Sequence, residues 1–175
     1  LRYFALNASH DREVAERFLE ARRFPLEILA ELREYLEIVQ DPVAVRSSSL
    51  LEDSQYHPFA GVYETHMIPN NNADLELRLA QLVNGIKRVY ASTFCQSAKN
   101  YIKFTSFRLE EEKMAVIIQR MVGTGHGERF YPDFSGVAKS HNFYPVAPET
   151  AEDGIVSVAL GLGKFVVEGG STVRF

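Results

Sequence analysis

The sequence has a single cysteine, Cys95, and no tryptophan among its 175 residues. One thiol excludes an internal disulfide framework and a cysteine-based zinc site. It sits beside Phe94 in a helical pattern, where a buried, inert thiol is expected. Positive charge is not in excess: 19 Lys and Arg face 23 Asp and Glu, a formal net charge of -4. That balance carries no polybasic signature, so bulk nucleic-acid binding and adhesion to an anionic membrane surface are both unsupported. No apolar run approaches the roughly 20 residues of a membrane span. The five histidines, His10, His57, His66, His126 and His141, show no metal-ligand spacing. No Gly-x-Ser-x-Gly elbow anchors a hydrolase triad. Gly123-Thr124-Gly125-His126-Gly127 lacks the strand-to-helix setting and the lysine of a phosphate loop, and reads as a flexible loop. The remaining composition, 46% hydrophobic and 24% charged, is that of an ordinary globular protein. It suits one domain or a subdomain pair, with a reducing cytoplasm as the expected setting.

Helical patterns fill the first forty residues. Ser9 or Asp11 can cap a segment through about Phe24, and Pro25 opens a second helix in which Leu26, Leu29, Leu32 and Leu36 share a face. Asp41-Pro42 ends that helix. The clearest helix runs from Ala73 to about Ser92, with Leu75, Leu79, Leu82, Ile86 and Val89 as its apolar stripe and Asn72 as its cap. A short helix follows over Phe94–Tyr101. Strands are predicted from about Val62 to Ile68, over Met114–Val122, over Phe134–Lys139 in a hairpin with the preceding strand, over Ile155–Leu160 and from Thr172. Helices mixed with hairpin-like strand pairs favour an α+β fold over a doubly wound parallel sheet. Leu1 at the start in place of Met, and a strand-like pattern reaching Phe175, suggest a piece of a longer protein.

The most informative stretch is Val45-Arg46-Ser47-Ser48-Ser49-Leu50-Leu51-Glu52-Asp53, continuing through Phe59-Ala60-Gly61-Val62-Tyr63-Glu64-Thr65. A short apolar strand, Pro42–Val45, delivers Arg46 and several hydroxyls at its carboxyl end. A guanidinium presents donors in a fixed fork that matches phosphate oxygens, so the pattern suits an anionic ligand. The alternative is a polar surface loop in which Arg46 pairs with Glu52 or Asp53. Gly61 falls where the backbone needs a positive φ or a close approach. Glu52-Asp53 could hold magnesium, although adjacent acids in loops are common. Ile117–Val122 is either a central strand or a hinge whose backbone edge and Met121 receive a planar base.

Taken in order, these pieces resemble the N-terminal nucleotide-binding domain of the phosphoenolpyruvate synthase and pyruvate phosphate dikinase family. The resemblance rests on Val45-Arg46-Ser47-Ser48 with Glu52-Asp53, Phe59-Ala60-Gly61 and Thr65, Ile86–Ser92, Val116–Val122, Ser135-Gly136-Val137, and Gly161-Leu162-Gly163 with Val166-Val167 and Gly169. It implies an ATP-grasp-like mixed sheet with flanking helices, present here as a partial domain. Residues 1–40 would be a helical lead-in, 41–112 would carry the Arg46 motif and its helix, and 113–175 would carry the base-binding strand and lid-like strands. In such proteins ATP passes a phosphoryl group to a histidine on a separate domain, which delivers it to pyruvate; the physics is to position the phosphates and neutralise developing charge. The resemblance makes Arg46 the phosphate clamp and catalytic residue, and puts Gly61 and Thr65 on the adjacent strand facing the nucleotide. Gln119, Met121 and Val122 would line the adenine slot, and Ser135 and Gly136 would form a loop over the phosphates. Glu52 and Asp53 then become scaffold rather than metal ligands.

The same resemblance implies ATP and Mg as ligands, with the magnesium ligands outside these residues, and a phosphohistidine domain and a pyruvate-binding domain as partners. It also implies that these residues alone bind nucleotide weakly and do not turn over. Departures mark a divergent branch: Ala138-Lys139-Ser140-His141-Asn142 replaces the usual continuation of the Ser-Gly-Val motif, Lys164 stands where glutamate is common, and the loop from Gly123 to Phe134 is long. A different acceptor, such as an antibiotic or a glucan, is an alternative, as is a degenerate regulatory module that binds nucleotide without chemistry.

Overall fold

The structure is a computed structural model that describes residues 1–49, 51–52, 61–103, 105, 108–109, 112–163, 166 and 172–174. The fold is α+β and comprises two compact units, Leu1–Met121 and Val122–Phe175.

In the first unit, helices α1 (Arg2–Asn7), α2 (Asp11–Leu19) and α3 (Leu26–Ile38) precede strands β1 (Val43–Ser49) and β2 (His66–Ile68). Helices α4 (Leu75–Ser92) and α5 (Gln96–Ile102) and strand β3 (Met114–Arg120) complete it. The sheet order is β2-β1-β3, antiparallel throughout. Strand alternation sends Val43 and Val45 of β1 to one face. There they join Ile68, Leu32 and Leu36 of α3, and Leu79, Leu82, Val83, Ile86 and Val89 of α4 in the main core. Fully burying one such side chain contributes roughly 2 kcal/mol, and Leu36, Leu82, Val43, Val45 and Val89 are all under 2% exposed. The predicted stripe of α4 is thus the face that packs on the sheet.

Several boundaries differ from those read in the sequence. The helical first forty residues divide into three helices, with α1 separate from α2. Helix α2 ends at Leu19 rather than near Phe24, and Lys87 Nζ donates to the Leu19 carbonyl there at 3.1 Å. The cap of α4 is Asp74, whose carboxylate accepts from Glu76 N at 2.8 Å, and Asn72 in turn accepts from Asp74 N. Strand β2 covers only His66–Ile68; Tyr63, at 5% exposure, leaves the ladder to pack with Leu51, Ala98 and Ile102. Cys95 is half-buried and caps α5 rather than lying inside a helix.

In the second unit, β4 (Thr124–His126) and β5 (Arg129–Tyr131) form a hairpin. The glycine-rich segment expected to be a flexible loop is therefore part of a ladder, closed by His126 stacking on Tyr131 with ring centroids 4.0 Å apart. Strands β6 (Phe134–Lys139), β7 (Ile155–Leu160) and β8 (Val173–Arg174) form a separate antiparallel sheet in the order β6-β7-β8. The hairpin partner of β6 is thus β7, not the preceding strand. Its connection is pinned by Asn142, 4% exposed, whose N–H donates to Ala151 O at 2.8 Å.

Candidate nucleotide site

The first sheet has one face against the helices and one open face. Directly paired residues share a face, so the pairs Ala44↔Gln119, Arg46↔Ile117 and Ser48↔Ala115, together with Met67 opposite Ala44, all lie on the side away from Val43 and Val45. Arg46 is exposed in the middle of β1, not beyond its carboxyl end. Its Nη1 donates to Gln119 Oε1 at 3.2 Å. Neither Glu52 nor any other acid among the described residues pairs with it. The guanidinium is therefore steered by a neutral amide, and its charge stays available.

The serines split by strand parity. Ser48 shares the face of Arg46. Ser47 and Ser49 face the other way and are tied to Glu52: Ser47 Oγ donates to Glu52 Oε1 at 2.8 Å, Ser49 N donates to Glu52 Oε2 at 3.0 Å, and Glu52 N donates to Ser49 Oγ at 3.3 Å. Glu52 thus closes the turn after β1, as a scaffold. Behind it, Tyr63 Oη donates to Glu112 Oε2 at 3.1 Å, and burial together with the charge of Glu112 pushes that phenol well above its ordinary range. Asp53, Phe59 and Ala60 lie outside the described residues.

The other predicted positions fall as follows. Gly61 has a positive φ of 81°, and Thr65 is exposed one residue before β2, so both precede the adjacent strand instead of lying on it. Met121 follows β3 and is held by its N–H donating to Pro42 O at 2.8 Å. Val122 belongs to the second unit, where it is 81% exposed and lines a cleft of ≈ 240 Å³ with Gly123, Thr124, Pro132, Asp133 and Phe134. Ser135 and Gly136 lie in β6, not in a loop. Ser135 Oγ donates to Gly161 O at 2.7 Å. At Gly136 an added Cβ would meet Ser157 O at 2.8 Å, so only glycine fits that cross-strand approach. Among the described strands β6 lies at the edge of its sheet, so its outer N–H groups are the ones left for a ligand. The open face also carries Ile117, 46% exposed, and Met67, 60% exposed. Neither was singled out from the sequence, although period-2 alternation places Ile117 beside Gln119.

The chain matches the family described as pyruvate phosphate dikinase, AMP/ATP-binding domain, over residues 6–173. It belongs to that family. It is 33% identical over 156 residues to a phosphoenolpyruvate synthase of Deinococcus radiodurans, covering 87% of this chain and 18% of that protein. To the phosphotransferase YvkC of Bacillus subtilis it is 34% identical over 130 residues, covering 74% of this chain and 14% of the relative. A rifampicin phosphotransferase of Bacillus cereus is 28% identical over 155 residues, covering 85% and 15%. The chain thus spans less than a fifth of the length of these relatives. For a pyruvate phosphate dikinase ATP-binding domain, the open face with Arg46 and Gln119 is the natural candidate for nucleotide contact in the first unit. Among the described residues no group of three or more His, Cys, Asp or Glu could hold a metal ion. No described helix is long and apolar enough to cross a membrane.

Proposed function

We propose that this chain is the ATP-binding part of a cytoplasmic phosphoenolpyruvate synthase-like dikinase, acting on a histidine of a separate domain that then phosphorylates pyruvate. The observation that carries this reading is Arg46: an exposed guanidinium on an open sheet face, hydrogen-bonded to a neutral amide and paired with no acid among the described residues. Such a group is free to grip phosphate oxygens through two parallel N–H bonds. Gln119 orients it before the nucleotide arrives, which lowers the ordering cost of binding. On this reading Ile117, Met121 and Val122 supply apolar surface for the base. Gly61 and Thr65 border the nucleotide in the first unit; within the second unit, Ser135 and Gly136 are the candidates for phosphate contact, Gly136 through the backbone N–H that β6 does not share with β7. Magnesium and the acceptor histidine come from residues other than those described.

Arg46→Ala in the full-length protein is expected to remove most ATP-dependent phosphorylation of the histidine domain, measured with radiolabelled ATP. Near-normal transfer would falsify the role of Arg46. Gln119→Ala is expected to raise the concentration of ATP needed by several-fold while leaving the saturated rate closer to normal, because it removes an orienting bond rather than the charge.

A second acceptor class is favoured by one specific finding, the similarity to a rifampicin phosphotransferase. Release of AMP by the full-length protein in the presence of pyruvate alone supports the synthase reading. Release that requires an antibiotic supports the other.

A further inference from the structure

The chain just ahead of β2 is fixed at two successive residues. Tyr63 Oη donates to Glu112 Oε2 at 3.1 Å, and Glu64 N donates to Ser92 Oγ at 3.1 Å. Ser92 Oγ is itself anchored, donating to Val89 O at 2.7 Å near the end of α4. The phenol also interacts with Ser49, whose N–H and Oγ are tied to Glu52. Ser49 faces Met114 in the register of β1 and β3, and Glu112 shortly precedes Met114. Tyr63 therefore ties the segment ahead of β2 to the end of the β1–β3 ladder.

Packing explains the ring of Tyr63 but not its hydroxyl. The residue is 5% exposed among Leu51, Ala98 and Ile102, a space that phenylalanine would fill without burying a polar atom. Strands β1 and β2 pair Ala44 with Met67 and Val45 with His66, so one further step of that register sets Thr65 against Arg46. Parity puts the exposed Thr65 on the face of Met67 and Arg46. Gln119 reaches Arg46 from β3, so Thr65 stands on the opposite flank, that of β2. Residues 61–65 belong to no ladder. Without the anchors at Tyr63 and Glu64, Thr65 would have to be ordered at the moment of binding, at a cost in affinity. Given the nucleotide reading of the Arg46 face, on which this rests, we infer that Tyr63 is a positioning residue: its hydroxyl, together with Ser92, holds Thr65 on the β2 flank of Arg46, where the Thr65 hydroxyl and the guanidinium take the same phosphate group.

ATP-dependent phosphorylation of the histidine domain in the full-length protein, followed against ATP concentration well below the melting midpoint, tests this. Tyr63→Phe keeps the ring and removes the anchor. It is expected to raise KM for ATP by roughly three- to tenfold, the effect of one hydrogen bond, with kcat within about twofold. Thr65→Val is expected to raise KM to a similar extent, and Tyr63→Phe to add little to it, because Tyr63 acts through Thr65. Ser92→Ala releases Glu64 N and is a second route to the same rise. An unchanged KM in folded Tyr63→Phe, or in Ser92→Ala where Tyr63→Phe does not fold, overturns the positioning role alone when Arg46→Ala abolishes transfer. Effects of Tyr63→Phe and Thr65→Val that multiply in the double variant overturn it too. Near-normal transfer by Arg46→Ala overturns the nucleotide reading and the positioning role together.

Discussion

Tyr63 is the residue whose chemistry departs furthest from that of a free side chain. Its phenol is buried and hydrogen-bonded to Glu112, so ionising it would place a second negative charge beside a carboxylate in a poorly solvated site. The folded state therefore holds the proton more tightly than the unfolded chain. The resulting stabilisation is fully present below the ordinary value of 10.0 and is lost as pH rises above it. Urea unfolding of wild type and Tyr63→Phe between pH 7 and pH 11 checks the sign: the wild-type advantage should be steady up to about pH 9 and shrink beyond pH 10. An advantage that grows with pH would contradict the buried, protonated phenol. Close by, Glu52→Gln should cost about 1–2 kcal/mol in the same assay, since a neutral amide replaces the carboxylate that accepts from Ser47 and Ser49.

Among elements, the recurring device is a cation reaching from α4 or α5 to the carbonyl end of an N-terminal helix. Lys99 Nζ donates to Ala5 O and Ala8 O at 2.7 and 2.6 Å at the end of α1, Lys87 Nζ reaches Leu19 O at the end of α2, and Arg78 reaches Leu36 O near the end of α3. Each contact satisfies orphan carbonyls and opposes the negative end of the helix dipole. Lys99→Met keeps the apolar stem and is expected to cost about 1–2 kcal/mol, read as a lowered urea midpoint at unchanged slope. Gly85 lets α4 approach β1 and β2: a Cβ there would lie 3.0 Å from Ile68 Cδ1 and 3.4 Å from Val45 Cγ2. Gly85→Ala gains about 1 kcal/mol of helix propensity against a comparable packing cost and should be near neutral, whereas Gly85→Leu should lose about 1–3 kcal/mol. None of these contacts is legible in the sequence. Periodicity found α3, α4 and most strands, because burial imposes 3.6- and 2-residue spacing. It could not find the break between α1 and α2, the early end of α2 or the partner of β6, which depend on contacts between residues distant in the chain.

At the scale of the whole molecule, the motif order revealed the family, while the side-chain geometry behind the motifs had to come from the structure. Arg46 and Gln119 were assigned to opposite ends of a nucleotide, phosphate and base, yet their side chains touch, since β1 and β3 pair antiparallel and align Ala44 with Gln119. Counting residues along one strand cannot supply that register. The second unit adds a surface property that composition also hides. Phe134 and Leu160 are direct cross-strand partners, 67% and 88% exposed, and Val173, paired with Val158, is 59% exposed. A contiguous apolar patch of this kind drives association of copies in solution, and a net charge of only -4 offers weak electrostatic opposition. Concentration-dependent association of the chain is therefore expected in sedimentation velocity. Leu160→Lys should shift the distribution toward monomer and leave the melting midpoint within a degree or two, because an 88% exposed side chain contributes little to the core. Unchanged sedimentation would mean that the patch plays no part in association. A large loss of stability would mean that Leu160 is covered in solution.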